Sequence, residues 1–132
     1  MAPRAAVPRP TESELAILGV LWDLGEATVR EVHEALYGED GGYTTALKML
    51  QVMHAKGLVR RDERQRAHVY KAAISKSATQ KRATAELVQR LFDGRPAELV
   101  MRALGSDKSP SAEELSQIRE LLDRIEHGRR HD

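Results

Sequence analysis

There is no cysteine among the 132 residues. That excludes disulfides, thiol nucleophiles and cysteine-ligated zinc. It also fits the expectation of a cytoplasmic protein. Aromatic residues are few, with one Trp, three Tyr and one Phe. A core must therefore be built mostly from Leu, Val, Ile, Met and Ala. No apolar run approaches the roughly 18 residues that suggest a membrane span, so no membrane insertion is expected. The opening "MAPRAAVPRP" has two arginines but no apolar h-region. It reads as a flexible leader over 1–10 and not as a secretory signal. No nucleophile elbow, phosphate loop or H-E-x-x-H pattern occurs. His33, His54 and His68 fall in separate elements, and His127 and His131 stand beside Gly128 in a fraying tail. Neither catalysis, nor a metal, nor any other cofactor is expected.

What is present is a soluble globular composition, 41% apolar and 31% charged. The net charge of +1 hides a strong segregation. Residues 11–42 hold eight acids against one base, Arg30. Residues 43–71 hold seven bases against Asp62 and Glu63. Such segregation is more informative than the total, and its plainest alternative is a solvated surface whose two halves pair in space.

Helix starts are well marked. Thr11–Glu14, Thr28–Glu31 and Ser111–Glu114 each place Glu three residues after Ser or Thr. In such a box the hydroxyl and the carboxylate each satisfy a free backbone N–H. The pattern predicts a first helix over 12–24, with Leu15, Leu18, Leu21 and Trp22 inward and Gly25 as its stop. A second helix is expected over 29–37, with Val29, Val32 and Leu36 inward, and "GEDGG" at 38–42 as a loop. A third runs over 44–56 and closes at Gly57. The stretch "LVRRDERQRAHVYKA", 58–72, is apolar and β-branched at both ends and polar between, which predicts a hairpin turning near 62–66. Further helices are expected over 76–92, 96–104 and 112–126. In the last of these, Leu115, Ile118, Leu122 and Ile125 recur at coiled-coil spacing.

The third helix divides cleanly on a helical wheel. Tyr43, Ala46, Met49, Leu50 and Met53 lie on an apolar side. Thr44, Thr45, Lys48, Gln51, Val52, Ala55 and Lys56 lie on the other, which has no acid. A helix entering a DNA major groove must be narrow, offer donors and acceptors to base edges, and keep carboxylates away from phosphates. Three short helices followed by a basic hairpin follow the order of a winged helix-turn-helix. In that arrangement Arg64, Arg66 and His68 would reach flanking phosphates or the minor groove.

The segments "ELAILGVLWDLGEATVREVHEAL" (14–36), "YTTALKMLQVMHAKGLVRR" (43–61) and "RAHVY" (66–70) resemble the BlaI/MecI/CopY penicillinase-repressor family. The resemblance is strong over 11–72 and one of layout over 76–126. It implies a mainly α protein with a small β-hairpin: an N-terminal winged helix-turn-helix over 11–74, a C-terminal helical dimerisation region over 75–127 and a tail over 128–132. It implies a repressor that binds a palindromic double-stranded DNA operator as a homodimer, in a β-lactam-type resistance or stress circuit. By position, Thr44, Thr45, Lys48 and Gln51 take the recognition role, and Arg64 and Arg66 the wing role. Dimerisation fits Leu115, Ile118, Leu122 and Ile125. The resemblance also implies a membrane sensor-protease as partner. However, the Asn-Phe bond of the cleaved members is replaced here by "MRAL" (101–104), which argues against induction by cleavage. The copper-responsive branch carries a cysteine cluster, and with none here that route is excluded. The rival reading is a winged helix that senses a small ligand or binds protein, as MarR-type regulators do. Against it, the C-terminal half has few aromatic or buried polar residues to line a pocket.

Overall fold

A computed structural model describes residues 7–38 and 42–130. All three capping boxes form. Thr11 starts α1 (Glu12–Leu24), Thr28 starts α2 (Val29–Tyr37), and Ser111 starts α6 (Ala112–Arg130). Between them lie β1 (Ala27–Thr28), α3 (Tyr43–Lys56), β2 (Val59–Asp62), β3 (Val69–Ala72), α4 (Lys76–Leu91) and α5 (Pro96–Leu104). Gly57 ends α3 in the left-handed region at φ 83° and donates its N–H to the His54 carbonyl. Only glycine takes that conformation without steric cost. The chain then enters β2 at once.

The sheet is antiparallel with strand order β1-β3-β2. The hairpin pairs Val59 with Ala72 and Asp62 with Val69. Its connection spans 63–68, close to the expected turn. The two-residue β1 was not expected from the sequence. It pairs Ala27 with Tyr70 and Thr28 with Val69, and so ties the α1–α2 connection to the wing. This is the architecture of a winged helix-turn-helix followed by a helical region.

The chain divides into two compact units, one up to Arg82 and one from Ala83 on. The division therefore falls inside α4. In the first unit the core joins Ile17, Leu18 and Leu21 of α1, Val32 of α2, Ala46, Leu50 and Met53 of α3, and Leu58 and Tyr70 of the sheet region. The inward stripe of α1 differs from expectation. Leu15 is 40% exposed, and Ile17 takes its place. The buried positions 14, 17, 18 and 21 follow the i, i+3, i+4, i+7 repeat, and Leu15 is one step round the helix. Trp22 and Leu36 are half-buried against the core. The Trp22 indole N–H donates to the Ile74 carbonyl at 3.0 Å. Tyr43, expected inward, is 49% exposed. Its ring stands edge-on to His33 instead.

In the second unit α4 ends in a tight reversal, with Asp93 at φ 51° and Gly94 at φ 75°. Pro96 then opens α5, where its missing N–H costs nothing. Helix α6 continues past 126 and through Gly128 to Arg130. Residues 1–6 of the expected leader, 39–41 of the expected loop and 131–132, with His131, lie outside the described residues.

The different burial of neighbouring leucines can be tested. Leu50→Ala is expected to lower the unfolding free energy by about 2–5 kcal/mol, the range for truncating a fully buried leucine. Leu15→Ala is expected to cost well under half of that. Urea denaturation of both variants measures the difference, and equal losses would contradict the placement of the α1 stripe.

Candidate nucleic-acid interface

The two sides of α3 have different fates. Ala46, Leu50 and Met53 are fully buried, while Thr44, Thr45, Lys48 and Gln51 are all exposed. No acid lies on the exposed side. Helices α1 and α2 begin under complete capping boxes, but α3 begins at Gly42, which offers no side-chain cap. The first turn of α3, with Thr44 and Thr45, therefore presents the positive end of the helix dipole without a capping acceptor from Gly42.

Lys56 does not join this surface. Its Nζ donates to Glu14 Oε2 at 2.9 Å, and Glu14 is 3% exposed. The other Glu14 oxygen accepts the Thr11 backbone N–H at 2.9 Å. One carboxylate thus caps α1 and clamps the last turn of α3 to it. Burial acts to raise the Glu14 pKa, but the hydrogen bonds from the Thr11 backbone and Lys56 outweigh it, so the group titrates below its ordinary 4.5. The sequence analysis read Glu14 only as a capping residue. Its place on the stripe with Ile17, Leu18 and Leu21 was the signal that it also faces inward.

The wing presents two kinds of arginine. Arg64 is held by Asp62, with Nε to Oδ1 at 3.0 Å and Nη2 to Oδ2 at 2.6 Å. The hydrogen bonds from Arg64 lower the Asp62 pKa to about 2. Arg66 and His68 are exposed and line a cleft of about 430 Å³. Arg30 at the start of α2 and Tyr43 and Leu47 at the start of α3 share that cleft. The structure thus places Thr44, Thr45, Lys48 and Gln51 on one exposed helix face, with Arg66 and His68 beside the start of that helix. Arg64 is engaged within the wing itself. In the C-terminal unit Leu115 and Ile118 are half-buried, whereas Leu122 and Ile125 are 51% and 52% exposed.

The model of the penicillinase repressor family matches residues 10–124. The chain belongs to that family. This penicillinase-repressor relative is a DNA-binding transcriptional regulator. No curated protein matches its sequence. Among solved structures it is similar to a MarR mutant from E. coli complexed with operator DNA. That match has 19% identity and a TM-score of 0.48, over 87% of this chain and 74% of the other. It is also similar to the reduced form of MarR from E. coli, with 18% identity and a TM-score of 0.43, over 87% and 76% of the two chains. Among the described residues of this penicillinase-repressor chain, no group of His, Asp or Glu is placed to hold a metal ion. No helix there is long and apolar enough to cross a membrane.

The Glu14–Lys56 clamp predicts a pH signature. Glu14→Gln is expected to cost about 1–3 kcal/mol of stability at neutral pH, since it weakens a buried, charge-assisted contact. The folded pKa is depressed, so the wild-type advantage is full above 4.5 and is lost as pH falls through the folded value. Denaturation curves from neutral pH down through the acid range below 4.5 should show the two proteins converging. A constant difference would remove the clamp from the account.

Proposed function

We propose that the protein is a homodimeric repressor that places α3 in the major groove of a palindromic operator. The observation that carries this reading is the α3 surface: exposed, free of acids and lined by Thr44, Thr45, Lys48 and Gln51. These side chains offer the donors and acceptors that base edges require. The wing supplies contacts to the backbone or the minor groove through Arg66 and His68, and through Arg64 where phosphate competes with Asp62 for its exposed guanidinium. Phosphate contacts set register and affinity, and the α3 side chains set sequence preference.

Dimerisation is assigned to α6. Leu121, Leu122 and Ile125 expose apolar surface there, in line with half-buried Leu115 and Ile118. A leucine-lined helix seam of this kind is stabilised by burial against a second copy. Two winged helices joined in this way would present recognition helices to half-sites about one DNA turn apart. Release by a membrane sensor-protease through cleavage at residues 101–104 is disfavoured. Met-Arg-Ala-Leu stands there in place of the Asn-Phe bond of the cleaved members.

Binding to DNA should weaken steeply with salt, and a specific palindrome, selected from a random pool, should keep its advantage over scrambled duplex. Lys48→Ala is expected to narrow that advantage by roughly tenfold or more, the discrimination carried by one good base contact. Protein that ignores DNA even at low salt would refute the assignment. For the dimer, Leu122→Asp should yield a monomer by light scattering while the helical circular-dichroism signal persists. An unchanged mass would exclude the α6 seam.

A further inference from the structure

The cleft between the wing and the starts of α2 and α3 carries charge that base reading by α3 does not use. Arg30, Arg66 and His68 line it together, and none of its described lining residues is an acid. Thr28, Tyr43 and Tyr70 add further polar groups to its walls. We propose that this cleft is a seat for one DNA phosphodiester, with Arg30 as its principal anchor and Arg66 and His68 closing it from the wing. The proposal rests on the reading that α3 enters the major groove, and it names a backbone contact that fixes the register of that helix.

Two features of Arg30 carry the inference. It is the one base among the residues 11–42, where eight acids surround it in sequence. It also sits in the first turn of α2, whose start is at Val29. A cation there opposes the helix dipole, and the favoured residue is an acid such as Glu31 of the same turn. An arginine that works against its own helix, exposed and without an acidic partner among the described residues, is unexplained by folding. Residues that break a local rule in this way mark functional sites. The planar guanidinium suits a phosphate, which it can grip through two hydrogen bonds.

The wing arginines separate along the same line. Arg64 is chelated by Asp62. Its guanidinium must therefore exchange Asp62 for any other anion that it binds. Arg66 has no such acid among the described residues and lines the cleft. Hence Arg66 and Arg30, which line one cleft, are the pair available to a phosphate that passes the start of α3.

The test uses the full chain and a random-sequence duplex of about 30 base pairs, followed by fluorescence anisotropy over a salt series. Arg30→Ala and Arg66→Ala are each expected to weaken binding about tenfold at low salt and to reduce the slope of log affinity against log salt by about one, on operator and scrambled DNA alike. Lys108→Ala, in the exposed loop after α5, removes the same charge and should change neither quantity. Arg30→Lys should retain the slope. Thermal unfolding of Arg30→Ala should be unchanged or slightly higher, because the cation opposed the helix dipole. A loss of binding in Arg30→Ala is then not a loss of fold. An Arg30→Ala protein with wild-type affinity and slope overturns the phosphate seat while leaving the DNA-binding reading intact. A wild-type protein that binds no duplex overturns both.

Discussion

The polar face that α3 presents depends on that helix being held along one narrow line. Ala46, Leu50 and Met53 are buried to the last atom, and their spacing of four and three residues fits one stripe of the helix. That stripe fixes the rotation of α3 about its axis. Once the rotation is fixed, Thr44, Thr45, Lys48 and Gln51 have no choice but to face outward. The Glu14–Lys56 pair adds a constraint of another kind. It joins the first turn of α1 to the last turn of α3 and limits how far that helix can slide. Apolar packing is non-directional, whereas a buried charged hydrogen bond is not. The two together specify one pose.

Electrostatics then divide the surface by function. Acids gather on α1 and α2, and bases on α3 and the wing. Within the basic part, local pairing decides which charges are free. Lys56 is spent on Glu14, and Arg64 on Asp62. Lys48 points outward from α3, and Arg66 opens into the cleft beside it. Counting basic residues therefore overstates the charge on offer. A phosphate meets most readily those cations whose attraction no neighbouring carboxylate has already answered.

Much of the architecture was legible because its causes are local. Capping boxes join residues three apart, so Thr11, Thr28 and Ser111 announced helix starts that the structure reproduces. The apolar side of α3 and the apolar, β-branched ends of the hairpin were legible for the same reason. The errors share a different cause. Leu15 and Glu14 are adjacent, and which of them faces inward depends on what waits on the far side of the helix. Tyr43 looked like a core residue by its position on the wheel, but it lies beyond the reach of the core at the first turn of α3. Strand β1 has two residues, and no pattern of that length identifies a strand without its partner β3.

The sequence by itself determined the elements, their order and the segregation of charge, because propensity, capping and periodicity act over a few residues. It also carried the family pattern that the matched model bears out over residues 10–124. The tertiary structure alone decided which basic side chains remain available. It turned Lys56 away from the α3 surface toward a carboxylate 42 positions earlier in the chain. It brought Arg30 of α2 to the same cleft as Arg66 of the wing. Contacts across such separations are made by the folding of the core between them, and no local rule of sequence encodes them.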